Sequence, residues 1–329
     1  MIRTAVLFAA IITSAGAADR TLKVAADGAG DFRTLQEAIA TVPENSPDRT
    51  VLEIKPGRYH GPVVISAKLA KVTLRGEDAQ TTIIDWERNV KGERPPGADG
   101  TNPGVSVAGK DFHAENITFQ NSSGDQGQGL ALRVDADRAV FAHCRFLGWQ
   151  DTLMINGGRQ YFHDCYLEGR VDFIYGDATA FFENCEVHSK NGGYVTAAST
   201  PANHPFGFVF RHCRLTGDTT PWPDPNAPKP PKPGKFPNTH LGRPWRPDAN
   251  VIFLECEMGE HIQPEGWNNW GQTAYQTTAR YGEYASTGPG AHPDQRVYWA
   301  RRLTKEEADK ITPATVLTGP DAWNPEIEK

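Results

Sequence analysis

Apolar positions in this chain recur in short, strand-like runs, and strong helical periodicity is missing from most of it. One phrase returns five times with a cysteine at its end: Val140-Phe141-Ala142-His143-Cys144, Tyr161-Phe162-His163-Asp164-Cys165, Phe181-Phe182-Glu183-Asn184-Cys185, Val209-Phe210-Arg211-His212-Cys213 and Ile252-Phe253-Leu254-Glu255-Cys256. A weaker copy precedes them in Phe112-His113-Ala114-Glu115-Asn116, with Asn where the cysteine would stand. Two positions further on, five of the six copies carry an apolar side chain: Phe146, Leu167, Val187, Leu215 and Met258. Strand-like triplets such as Val72-Thr73-Leu74 and Ile117-Thr118-Phe119 lie outside the phrase itself.

The intervals between copies are 28, 21, 20, 28 and 43 residues. A basic period near 20 with variable insertions marks a solenoid whose coils bury apolar residues against their neighbours. Leucine-rich repeats need a regular Leu pattern, and propeller blades need periods of about 40–50 residues. The pattern therefore predicts an all-β, right-handed parallel β-helix. Two segments depart from it. Phe32, Leu35, Ala38, Ile39 and Val42 stand at helical spacing within 31–42, which predicts a short helix capping the first coil. Thr304-Lys305-Glu306-Glu307 predicts the start of a C-terminal helical tail with an acidic first turn. Residues 218–238 hold eight prolines and read as a long surface excursion, because the repeat resumes after them.

The first residues are patterned differently. Arg3 precedes the apolar run Ala5–Ile12 and the small-residue segment Ala15-Gly16-Ala17. This is the pattern of a secretory signal peptide over 1–17, cleaved after residue 17 or 18, with a single domain over 18–329. The expected location is outside the cytoplasm, secreted or periplasmic. A formal net charge of −6 gives a nucleic-acid or anionic-membrane partner no electrostatic support. The five cysteines include no Cys-x-x-Cys pair, so zinc and thioredoxin-like readings have no basis. An odd count in an exported chain leaves at least one thiol unpaired, and a Cys165–Cys185 bridge stays open at this point.

Used as rulers, the cysteines bring out candidate chemistry. Asp151 lies seven residues after Cys144, and Asp172 lies seven residues after Cys165. If the cysteines stack, the two carboxylates occupy equivalent places on coils ~4.8 Å apart. Like charges that close do not both ionise comfortably, so the pair should split into an acid and an anion. Gln150 precedes the first aspartate, and Arg243 in Leu241-Gly242-Arg243-Pro244-Trp245 supplies a guanidinium beside an aromatic ring. An arginine fork can hold one carboxylate ionised.

The phrases Gly148-Trp149-Gln150-Asp151-Thr152-Leu153, Gly169-Arg170-Val171-Asp172-Phe173-Ile174-Tyr175-Gly176 and Leu241–Trp245 resemble signature segments of pectin methylesterases. So do Gln128-Gly129-Leu130-Ala131-Leu132-Arg133, the opening Gly28-x-Gly30-Asp31-Phe32, Tyr281-Gly282-Glu283-Tyr284 and Thr287-Gly288-Pro289-Gly290-Ala291, in family order from about residue 22 to 312. The resemblance implies hydrolysis of the methyl esters of galacturonan (pectin), yielding pectate and methanol through an aspartyl acyl-enzyme. In that scheme Asp172 is the nucleophile and Asp151 the general acid that later serves as base. Gln150 and Gln128 bind the oxyanion, Arg243 pairs with Asp172, and Trp245 contacts sugar. Tyr194, Trp267, Trp270 and Phe173 are further candidates for substrate contact. No metal or cofactor is implied, and the expected enzyme is a monomer with pectin as its partner.

Two departures from the family pattern bear on the groove: Gly61 stands where the family often has Glu, and the Pro-rich excursion is unusually long. Polygalacturonases would call for an Asp-Asp dipeptide and a Gly-His-Gly phrase, and a serine esterase for a Gly-x-Ser-x-Gly elbow; none occurs.

Overall fold

A computed structural model describes residues 19–89, 102–218 and 238–327. The signal-peptide segment and nearly all of the Pro-rich excursion lie outside the described residues. Within them, the strand-like phrases wind into stacked coils whose named strands pair only in parallel. One face is an eleven-stranded sheet running from Arg20–Val24 to Arg301–Arg302, and it contains all five strands of the Phe-x-x-Cys phrase. The other thirteen strands form two faces, joined where Tyr166–Gly176 and Glu186–Ala198 bend from one to the other.

Inward positions of successive coils stack like on like. Phe141, Phe162, Phe182, Phe210 and Phe253 form a continuous pile with ring centroids 4.6, 4.6, 4.4 and 4.6 Å apart. Neighbouring planes differ by no more than 12°. These rings are wholly buried. Each removes a large apolar area from water, and truncating one to Ala typically costs about 3–5 kcal/mol. The pile therefore fixes the register of neighbouring coils strongly.

The residue before each cysteine makes the corner between two faces. His143, Asp164, Asn184, His212 and Glu255 all have φ between 51° and 54°. This left-handed conformation turns the chain sharply, and Asn, Asp and His adopt it at lower cost than most residues. The register corrects the sixth copy of the repeat. Ala114, not His113, pairs with Phe141, and Thr118 pairs with Arg145. Asn116 (φ 56°) thus occupies the corner, and Ile117 takes the inward place of the cysteine. An apolar side chain fills that slot as well as a thiol does, and Phe119 then matches Phe146.

All five cysteines are free and buried. Each of Cys165, Cys185, Cys213 and Cys256 donates its thiol to a carbonyl of the preceding coil, at Phe141, Phe162, Phe182 and Phe210, with S···O distances of 3.4–3.6 Å. Burial pushes the Cys165 and Cys213 thiols up, away from reactive thiolate.

The N-terminal helix is shorter than its apolar pattern, spanning Leu35–Ile39. Phe32 still belongs to the coil through a bridge to Val24, so the helix starts only after Thr34, whose side chain forms a capping box with Glu37. Leu35, Ala38 and Ile39 are its buried side. At the other end Thr304 and Glu307 form a second capping box that opens the helix Lys305–Asp309, followed by Pro313–Val316. Ala308, Ile311, Val316, Leu317 and Trp323 of this tail pack on outward residues of the eleven-stranded face, including Tyr161, Phe181 and Val209.

Denatured, unreduced protein should titrate as five thiols with a thiol-specific reagent. The same reagent should leave the folded protein unmodified on the timescale of an assay; fewer than five thiols would reveal a bridge.

Candidate active site

Asp151 and Asp172 occupy the bend where the second face passes into the third. Leu153 pairs with Ile174 and Met154 with Tyr175, so the aspartates hold one register on adjacent coils. The Asp151 amide donates to the Val171 carbonyl at 3.1 Å, locking the two bends together. Both residues are left-handed, with φ of 63° and 52°. That conformation interrupts strand alternation, and around Asp172 the pairing with Glu186–Ala198 is irregular between Val171 and Ile174. The interruption turns both carboxylates towards a cleft of about 260 Å³ lined also by Gln128, Gln150, Arg243, Trp245 and Trp270.

Arg243 forks onto Asp172, with Nε 2.9 Å from Oδ1 and Nη2 2.6 Å from Oδ2. Gln128 donates from Nε2 to Asp151 Oδ2 at 2.9 Å. Burial raises the pKa of both aspartates, but their partners divide them. Asp151 is pushed up to about 7 by burial and by the charge of Asp172, with Gln128, Gln150 and Arg243 acting in the opposite sense. Asp172 is raised by burial, while the fork and charge of Arg243 pull it back down. Below a pH of about 7 Asp151 favours its proton, while the Arg243 fork favours the charge on Asp172. A neutral carboxylic acid beside a charged carboxylate is an arrangement that acyl transfer can use.

Of the residues expected to touch substrate, the structure brings Trp245 and Trp270 to the cleft, with Trp245 edge-on to Tyr175 at 5.8 Å. Tyr194 is half-buried and stacks with His240 and with the Arg243 guanidinium. Two expectations need correction. Trp267 is 2% exposed and packs between Phe253 and Tyr281 inside the solenoid. Phe173 is 1% exposed, because the chain turns inward immediately after Asp172. It packs against Gly169, where any larger residue would collide with its ring. Neither side chain can reach a polysaccharide.

The pattern reading missed the apolar wall of the cleft. Met154, Tyr175 and Ala197 pair in register on three successive coils, and Leu130 joins them. The cysteine ruler that aligned the aspartates would have aligned Met154 with Tyr175 as well. It also missed Asp125, which pairs with Arg170 and ties the loop bearing Gln128 to the strand bearing Asp172.

The Pectinesterase family model matches residues 21–320. Pectinesterase 31 of Arabidopsis thaliana is 38% identical over 301 residues, covering 89% of this chain and 90% of that protein. The chain belongs to the pectinesterase family. Among solved structures, the carrot pectin methylesterase superposes with a TM-score of 0.83 at 31% identity, covering 95% of this chain and 98% of that one. A pectin methylesterase in complex with a hexasaccharide matches with a TM-score of 0.72 at 28% identity, covering 92% and 98%. These likenesses run through the whole coil stack, and membership makes the chain a carboxylic ester hydrolase with pectinesterase activity.

The raised Asp151 has a consequence for stability. Folded, it keeps its proton up to a pH of about 7, whereas the unfolded chain releases it near the ordinary value of 3.8. Its stabilising contribution is complete below the unfolded value and is lost as pH rises through the folded one. Asp151→Asn stays neutral throughout, so at pH 8 it should be more stable than the parent by roughly 1–4 kcal/mol. The gain should shrink towards zero by pH 4, as measured by urea denaturation across that range.

Proposed function

We propose that this chain de-esterifies methyl-esterified galacturonan through a covalent intermediate on Asp172. The observation that carries the reading is the geometry of one aspartate pair: Asp172 is forked by Arg243, and Asp151 lies beside it in the same register of the adjacent coil. A carboxylate oxygen of Asp172 attacks the ester carbonyl carbon, forming a C–O bond and an oxyanion. Amide donors of Gln128 and Gln150 stabilise that charge. As the tetrahedral centre collapses, the C–OCH3 bond breaks and Asp151 gives its proton to the departing methanol. Water then gives a proton to Asp151 and attacks the mixed anhydride. Asp172 leaves as carboxylate, so the net change is ester plus water to acid plus methanol.

The aromatic ring of Trp245 lining the cleft suits sugar stacking, and the hexasaccharide held by the similar enzyme supports a polysaccharide substrate. We read 18–329 as one domain, a right-handed coil stack covered at its first turn by Leu35–Ile39 and acting as a monomer. Its export rests on the signal pattern of residues 1–17. Among the described residues no helix is long and apolar enough to cross a membrane.

Purified enzyme should release methanol from methyl-esterified pectin and no acetate from an acetylated, unmethylated polymer. Asp172→Asn should lower kcat at least ~10³-fold with an unchanged circular dichroism spectrum, since an amide is a poor nucleophile. Substantial remaining turnover would reassign the nucleophile.

Arg243→Lys keeps a charge but loses the planar fork. Turnover should fall strongly, and the acidic limb of the kcat/KM profile should move to higher pH, because Asp172 then ionises less readily. An unmoved limb would separate Arg243 from the ionisation of Asp172.

A further inference from the structure

We infer that Tyr194 and Trp270 are positioning residues that clamp the Arg243 guanidinium between their rings, keeping its Nε–Nη2 edge on Asp172. This builds on the proposed roles of Asp172 and Arg243. The Arg243 Cζ lies 3.9 Å from the centre of the Tyr194 ring and 3.6 Å from that of Trp270. Two rings cannot share one face of a planar group at those separations, because packed carbons approach no closer than about 3.5 Å. They therefore cover opposite faces, and only the guanidinium edge remains for the carboxylate.

The walls come from different coils. Tyr194 pairs with His240, three residues before Arg243, and its ring stacks with the His240 ring at 5.3 Å. Trp270 follows Asn268, whose amide donates to the Gly242 carbonyl, next to Arg243. Trp270 itself sits at φ 58°, with Gly271 at 68°. A bulky aromatic residue in the left-handed region is uncommon, and such strain persists where surrounding contacts require it. Here the turn brings the indole flat onto the guanidinium, and the Asn268 carboxamide accepts the Trp270 amide at 2.8 Å.

The clamp acts in two ways. Arginine is a long side chain with many rotamers, and walls on both faces restrict it to the one that forks onto Asp172. The rings also exclude water above and below the ion pair, lowering the local dielectric and strengthening the attraction that keeps Asp172 charged. Other groups facing Asp172 do not replace this. Asp151 on the preceding coil is the member of the pair that favours its proton, and it brings no positive charge to Asp172. Tyr175 on its own strand and Tyr281 from within the solenoid have their pKa values pushed well up, and both stay neutral.

The test compares Trp270→Leu and Tyr194→Leu, which remove a wall, with Trp270→Phe and Tyr194→Phe, which keep a ring. The Asp172 titration is followed by carbon-13 NMR of aspartate-labelled protein, and kcat and KM are measured on methyl-esterified oligogalacturonides. Each Leu variant should raise the Asp172 midpoint by at least ~0.5 unit and lower kcat ~10-fold or more, with KM changed less than ~3-fold. Each Phe variant should show a smaller midpoint rise and a smaller kcat loss than its Leu counterpart. A rise in KM with the midpoint and kcat unmoved would make the rings sugar platforms and overturn the clamp. So would equal effects of Leu and Phe. Because the NMR midpoint needs no turnover, it judges the clamp even if Asp172→Asn were to retain activity and remove the nucleophile assignment.

Discussion

Coil-to-coil register is the constraint on which everything else in this molecule rests. It is imposed from inside, by the phenylalanine pile from Phe141 to Phe253 and the cysteines and Ile117 beside it. A parallel sheet alone specifies register weakly, because slipping a strand by two residues recreates the same backbone hydrogen bonds. Large flat rings packed face to face do not tolerate the slip, since it would leave a cavity on one coil and a clash on the next. The left-handed corners at His143, Asp164, Asn184, His212 and Glu255 then keep successive turns in phase.

Once the coils are in register, two carboxylates seven residues beyond successive cysteines are forced together. Ordinary folding would separate them, as each disfavours the ionisation of the other. They remain adjacent because the difference in their surroundings resolves the conflict. Asp172 has a guanidinium fork and Asp151 has amide donors, so a single proton and a single charge are shared out unequally. The same burial that makes this separation possible makes Asp151 a liability to stability at alkaline pH. A functional site that strains its own fold in this way is a common cost of placing reactive groups in a dry cleft.

The repeat was legible because stacking demands like residues at like positions, and the Phe-x-x-Cys phrase records that demand directly. The pairing of Asp151 with Asp172 followed from counting alone. The sixth copy was misphased by one residue because Asn116 resembles the cysteine slot less than the corner it occupies, and a polar residue tolerant of positive φ belongs at a corner. The helix near the N-terminus was overextended because Phe32 and Val42 keep apolar spacing on either side of it without being helical.

Side-chain direction close to the bends was not legible. Phe173 follows Asp172 directly yet points into the core, and Trp267 stands three residues before Trp270 yet is sealed inside the solenoid. Period-two alternation assigns faces only along an unbroken strand, and both aspartates lie at bends where it fails. By itself the sequence determined the coil architecture, the aspartate register and the family, because these are written as repeated residue types at fixed spacing. The tertiary structure alone decided which aromatic rings meet the cleft and that Tyr194 and Trp270 enclose Arg243, because those contacts join coils whose separation along the chain carries no periodic signal.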